Sequence, residues 1–424
     1  MLIVIAVFLG LLVLGVPIAY VLGISSIVYI VSSDMGLFGS APMRVFQGVQ
    51  NFGLLAIPLF VFVGELMNSG GISTRLVRFT NVVLGHFRGG LAYVNIATNM
   101  FLASILGSAN AQTAMMSRVM VPAMEKEGYK REFSSAVTVS SSLLGPIIPP
   151  SLVFIIYGVI SETSITRMFL AGVIPGIVLA VSFMLLIYVI AIKENFPKAE
   201  KATSRQAFRA LLEVIPALLI PLVILVGILT GVFTATESAA VASLIAFFVG
   251  FFFYRELKLK DLPKILIDTA LNSATVTFIV AMASLLGWIL AFERVPNAIG
   301  DFLISFSDSP YVFLFILNIL LLIVGMFMDG IAAMIILVPI LLPVALNLGI
   351  DPVHLGIIIC INLTIGLITP PVGTALFIAS SISEIRMETL TRSLIPFIIV
   401  AYAVLLLITY IPAITLTVPQ LFSG

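Results

Sequence analysis

Charged residues in this chain are gathered into a few short clusters, and the stretches between them are long and apolar enough to cross a bilayer. Only 10% of the 424 residues are Asp, Glu, Lys or Arg, against about 25% in a soluble domain. Mean hydropathy is +1.23 and 61% of the residues are hydrophobic. Backbone N–H and C=O groups in hydrocarbon have no water to bond, so such a chain must satisfy them within helices. The expected class is an all-α polytopic membrane protein. At roughly 20 residues per span, the apolar segments allow about ten to twelve crossings. A formal net charge of +1 gives no electrostatic footprint for a nucleic-acid partner. Cys360 is the single cysteine, which excludes an intrachain disulfide. The first Lys or Arg is Arg44, so the first apolar run lacks the basic start of a secretory signal and is expected to be a retained span.

The most hydrophilic segment, KENFPKAEKATSRQAFRALLE at 193–213, divides the chain into nearly equal halves that match weakly. GPIIPPSLVFIIYGVISE pairs with GLITPPVGTALFIASSISE at an offset of 221, and VPAMEKEGY pairs with LPVALNLGI at the same offset. GELMNSGGISTRLVRF pairs with GWILAFERVPNAIGDF at 223. The distribution of basic residues orients the two copies. With 193–213 in the cytoplasm, the second half reads as spans near 214–234, 235–254 and 265–292, then a re-entrant block at 311–346. A broken span at 353–380 and a last span near 393–418 follow. The first half takes the opposite sense, with a re-entrant block at 93–124, a broken span at 133–158 and a return span at 168–192. Arg44, Arg167 and Arg294 then lie outside, Arg118 falls within a re-entrant block, and the remaining 17 of 21 Lys and Arg are cytoplasmic. The expected domains are two inverted-topology repeats, 1–192 and 214–424, joined by a cytoplasmic connector at 193–213. Residues 2–32 form one kinked helix or two short ones, and symmetry favours two. ISTRLVRFTNVVLGHF (72–87) and PNAIGDFLISF (296–306) read as helices lying along the membrane surface.

Prolines mark the centre of each broken span. A proline cannot donate to the carbonyl four residues earlier. Pro149 therefore frees the carbonyl of Gly145 and Pro150 that of Pro146; Pro370 frees Gly366 and Pro371 frees Leu367. Bare carbonyls cost several kcal/mol each in hydrocarbon, and a cation is a natural partner for them. Discontinuous helices near the midplane are where secondary transporters hold sodium and substrate. The re-entrant blocks add polar centres: Ser104, Gly107, Ser108, Asn110, Gln112 and Thr113 in the first, and Gly325, Asp329 and Gly330 in the second. Candidate Na+ ligands, largely through backbone carbonyls, are Ser104, Gly107, Asn110, Gly145 and Ile148 in one half. Gly325, Asp329, Gly366 and Thr369 are those in the other. An intramembrane carboxylate such as Asp329 requires a partner, and a sodium ion beside Gly366–Thr369 suits it. Serine and threonine hydroxyls in membrane helices more often bond their own backbone. Glu237 in TATES completes a capping box with Thr234. Arg118 marks a hairpin end or pairs with an acid, and Glu65 pairs with a cation.

Taken together, LLAIPLFVFVGELM, GSANAQTA, GPIIPPS, GWILAFERVP, GMFMDG, ILVPILLPVA and LTIGLITPPVGTALF resemble the large membrane subunit of tripartite ATP-independent periplasmic (TRAP) transporters, over nearly the whole chain. The resemblance implies an elevator-type fold with a scaffold and a transport domain, the latter carrying two hairpins. It implies sodium-driven uptake of an organic acid, with sialic acid favoured and C4-dicarboxylates next. Its implied partners are a small four-helix membrane subunit and a periplasmic substrate-binding protein, and its implied place is the bacterial inner membrane. Candidate substrate contacts between the hairpin tips are Ser108, Asn110, Thr113, Asp329 and Thr374. A stand-alone ion-coupled carboxylate carrier of related architecture is the main rival, followed by a channel. An intramembrane enzyme is disfavoured, because His86 and His354 both fall near expected surfaces and no HExxH or GxSxG motif is present.

Overall fold

The computed structural model describes residues 2–33, 35–194, 196, 198, 201–299 and 309–422. Its first half contains α1 (Leu2–Val13), α2 (Ile18–Ser33), α3 (Ala41–Val49), α4 (Ala56–Ser69), α5 (Ile72–Leu84), α6 (Gly90–Leu106), α7 (Ala109–Lys126), α8 (Arg131–Ser142), α9 (Leu152–Ile160) and α10 (Ile165–Lys193). The second contains α11 (Ser204–Leu229), α12 (Ala235–Phe248), α13 (Leu262–Phe292), α14 (Pro310–Phe327), α15 (Gly330–Asn347), α16 (Pro352–Gly366), α17 (Thr374–Ser383), α18 (Met387–Tyr410) and α19 (Ala413–Phe422). The described residues hold no strand, only an isolated bridge between Arg88 and Lys198.

Local sequence sets where these helices start. Thr203 with Gln206, and Thr234 with Glu237, form reciprocal capping boxes at the heads of α11 and α12. The Asp351 side chain accepts from the amides of Val353 and His354 at the head of α16. Pro310 and Pro352 occupy first-turn positions, where a missing N–H costs nothing. Residues 2–33 form two helices, parted at Gly15 and Pro17.

Among the described residues, eight helices are long and apolar enough to span a membrane. That is fewer than the ten to twelve expected from composition. The apolar runs at 2–33, 133–158 and 353–380 are divided into short helices, none of which spans alone. α11 begins at Ser204, so the last ten residues of the connector at 193–213 are helical. A helix is present at 72–84, where one was expected to lie along the membrane. Its expected counterpart at 296–306 lies largely outside the described residues. His354 is buried within the protein, 3% exposed, with Nδ1 2.8 Å from Thr415 Oγ1 and Nε2 3.2 Å from the Thr409 carbonyl. Those bonds tie α16 to α18 and α19.

The helices fall into two groups. In one, α13 packs against α2, α3 and α4, while α12 joins α4 to α11. In the other, α7 lies against α8 and α17, α14 and α15 flank α16, and α18 runs along α8 and α16. Lipid tails are as apolar as leucine, so close fit and polar contacts hold membrane helices together. Backbone meets backbone most closely between α14 and α16. A Cβ added at Gly366 would lie 2.5 Å from the carbonyl carbon of Gly325, so backbone meets backbone there. Gly366→Ala should lower the melting temperature of the purified protein by the equivalent of about 1–3 kcal/mol. Gly10→Ala, at a site with nothing within 4 Å, should leave it unchanged; equal melting of the two variants would contradict the close packing.

Candidate functional site

Two helix pairs and two interrupted helices end on one another inside the second group. The first pair turns at Gly107, whose positive φ of 55° suits glycine. Ser108 then caps α7, its Oγ accepting from the Ala111 amide. Asp329 does the same for α15, its Oδ1 accepting from the Ile331 amide at 3.0 Å. Ser108 and Asp329 are 221 residues apart, the offset at which the two halves align. The interruptions match as well: residues 143–151 and 367–373 are non-helical, and both proline pairs have a cis peptide bond.

Buried amides brace both pairs against the helix that precedes each interruption. Asn95 Nδ2 donates to Thr138 Oγ1 at 2.7 Å, and Ser141 Oγ donates to Asn95 Oδ1 at 3.4 Å. In the other half Asn362 Nδ2 donates to Asn318 Oδ1 at 2.8 Å. Asn95 and Asn318 are 223 residues apart, and Ser141 and Asn362 are 221 apart. Sequence reasoning missed these residues. Asparagine within a membrane helix is the signal that could have found them, since each demands an internal partner.

The freed carbonyls are largely satisfied by local rearrangement, which corrects the simple i−4 expectation. The Pro146 carbonyl accepts from Ser151 Oγ at 2.5 Å, Gly366 accepts from the Thr369 amide at 3.1 Å, and Leu367 accepts from the Ala375 amide at 3.0 Å. Gly145 alone of the four keeps a carbonyl that no described donor reaches, and the carbonyls of Ile148 and Thr369 are likewise without a donor. The Leu367 and Thr369 oxygens each lie 3.1 Å from where a Gly373 Cβ would sit, so glycine leaves room at the point where they converge. Asn99 Oδ1, Gln112 Oε1 and Asn362 Oδ1 are also buried without a donor. Both breaks are thus rich in acceptors.

The two tips face each other across a cavity of about 70 Å³. Gly107, Ser108, Asn110, Asp329 and Gly330 line it, with Pro146 and Leu367 from the interruptions. Thr374 Oγ1 at the head of α17 donates to Asn110 Oδ1 at 3.1 Å, joining the two halves. Several side-chain hydroxyls are bonded elsewhere. Thr113 is buried against α8, 2.6 Å from Ser142 Oγ. Ser104 Oγ donates to the Phe101 carbonyl, and Thr369 Oγ1 donates to that of Ile365. Gly325 and Gly366 serve close packing. Neither Arg118 nor Glu65 forms an ion pair among the described residues. Glu65 instead borders a second cavity of about 350 Å³, with Ser108, Ala111 and Leu152 on one wall and Asn272 and Thr275 on the other.

An all-helical membrane protein with interrupted helices meeting at a polar centre has the features of a secondary transporter. The family profile described as the tripartite ATP-independent periplasmic transporter, DctM component, matches residues 5–414. The chain belongs to this family, and its relatives are transporter permeases rather than enzymes. It is 38% identical over 417 residues to the sialic acid TRAP transporter large permease protein SiaM of Vibrio cholerae, covering 98% of each chain. Identity to the C4-dicarboxylate TRAP transporter large permease protein DctM of Pseudomonas aeruginosa is 37% over 399 residues, covering 94% of this chain and 93% of that protein. It is also 37% identical to the isethionate TRAP transporter permease protein DctMQ of Oleidesulfovibrio alaskensis, covering 97% of this chain and 65% of that longer protein. Among solved structures, the Alcanivorax borkumensis YdaH transporter superposes with a TM-score of 0.62 over 88% of each chain, at 14% identity. That likeness shows a shared fold.

The Ser151 contact offers a direct test of how the first break is held. Ser151→Ala removes the cap of α9 and leaves the Pro146 carbonyl buried without a donor, which should cost about 1–3 kcal/mol. Thermal unfolding in detergent measures the loss. Stability equal to the parent protein would show that another donor reaches that carbonyl.

Proposed function

We propose that this permease carries an organic acid into the cell together with sodium, by moving one helix group past the other. The observation that carries this reading is the meeting of two capped tips, with spare acceptors, at matched interruptions. Four helices, α7, α9, α15 and α17, begin at this centre. Helix N-termini carry partial positive charge and favour a carboxylate. Asp329 and the unpaired carbonyls of Gly145, Ile148 and Thr369 offer oxygen ligands to a small cation. Sodium at the two breaks would order the tips, and the acid would complete the site between them.

The 70 Å³ cavity has room for about two waters and not for an acid sugar. Substrate therefore requires the tips to part, and the neighbouring 350 Å³ cavity gives them room on the Ser108 side. The inverted-repeat reading, which supplies two related sites, is supported by the matched caps, amide braces and interruptions. Ion pairing supports the topology. Arg75–Glu256, Arg78–Glu213 and Lys130–Glu194 join residues assigned to the cytoplasm, and Arg167–Asp351 joins residues assigned to the outside. Sialic acid is the favoured substrate, on the relative named SiaM, with a C4-dicarboxylate next. A separate small membrane subunit is inferred from the longer DctMQ relative, and a periplasmic binding protein would deliver the acid. The bacterial inner membrane is the location this implies.

The test is uptake into proteoliposomes containing this chain with its small subunit and a binding protein. Acid should accumulate only when sodium is imposed from outside. Asp329→Asn keeps an oxygen to cap α15 but removes the charge, so the sodium needed for half-maximal uptake should rise several-fold, with the melting temperature little altered. An unchanged sodium dependence would remove Asp329 from the ligand set, and uptake indifferent to sodium would overturn the coupling itself.

A further inference from the structure

A cavity of about 640 Å³ lies away from the tips, between α5 and the start of α11. Its volume is within the roughly 300–1,000 Å³ of small-molecule sites. Arg78 and Asn81 of α5 line one wall, and Lys201, Gln206, Arg209 and Glu213 line the other. The wall is fixed by its own bonds. Glu213 accepts from Arg78 Nη1 at 2.9 Å and from Arg209 Nε at 3.0 Å. Tyr254 Oη donates to the Glu213 carbonyl at 2.8 Å, and the Arg75 guanidinium stacks on the Tyr254 ring at 3.8 Å. Arg75 also donates to the Gly71 carbonyl and to Glu256, both at 2.7 Å, which clamps α5 in place.

Among the described residues, Glu213 is the single carboxylate lining the cavity, set against three cations, Arg78, Lys201 and Arg209. The lining therefore keeps an excess of two positive charges. Each guanidinium has five N–H donors and gives only one of them to Glu213. Fork-shaped donors of this kind match phosphate oxygens. Basic pockets between membrane helices bind phospholipid head groups in this way.

We propose that this cavity holds the phosphate of an anionic phospholipid, with Arg78, Arg209 and Lys201 on its oxygens. The test uses the assembled permease in nanodiscs of phosphatidylcholine, alone or mixed with phosphatidylglycerol. It reads phosphatidylglycerol retained after exchange, by mass spectrometry, and the melting temperature. The parent protein should retain phosphatidylglycerol and melt higher in the mixed discs. Arg78→Gln with Arg209→Gln should weaken retention, roughly five-fold for each charge removed. That pair also strips Glu213 of its partners, so Lys201→Gln, which leaves the Arg–Glu frame intact, is the second variant and should lose about five-fold. Retention equal to the parent in Lys201→Gln would overturn the assignment. So would inorganic phosphate in phosphatidylcholine discs reproducing the full stabilisation, which would make the ligand a free phosphate.

Discussion

Hydrocarbon cannot hydrogen-bond a peptide group, and the interruptions in this protein are shaped by that fact. Four prolines remove four amide donors from the middle of two helices. The chain answers at each acceptor with whatever donor it can bring within reach: a serine hydroxyl at Pro146, a shortened turn at Gly366, the head of the next helix at Leu367. The first interruption is almost wholly buried in protein, and the second is buried except around residues 370–372, since irregular backbone in a membrane protein must be shielded from lipid. What remains unsatisfied is small in amount and localised at the two breaks. Confined surplus of this sort is what a transport site needs, because a cation held there replaces the missing donors.

The same constraint couples tip and break. Asp329 is at once a helix cap and a cavity wall, and Thr374 is at once the first residue of α17 and the partner of Asn110. Neither tip is an isolated loop. Each is braced by an amide on its first helix and faces the opposite half across the cavity. On the proposed reading, an ion at one break would touch the same elements that would contact the substrate, which is what linking two fluxes requires.

Much of the frame was legible in the chain because membrane helices advertise themselves through hydropathy, and breakers through proline and glycine. Both interruptions, both tips, the Thr234–Glu237 box and a helix over 72–84 stand where their residues imply. Side-chain roles were less legible. Thr113, Ser104 and Thr369 carry oxygen, and composition cannot tell an oxygen facing a cavity from one bonded to its own helix. That distinction depends on which helix face meets a neighbour. The amide braces were overlooked for a related reason: Asn95 and Ser141 lie 46 positions apart, and nothing local joins them.

Where Gly325 meets Gly366, no side chain intervenes. The registry of the second tip against its interrupted helix is therefore written in main-chain atoms, common to every amino acid. Substitutions along the tip can recast its chemistry while that seam keeps the geometry constant. Such an arrangement lets one architecture be retuned toward different cargoes by exchanging a handful of surface groups, with the alignment of the moving parts left as it was.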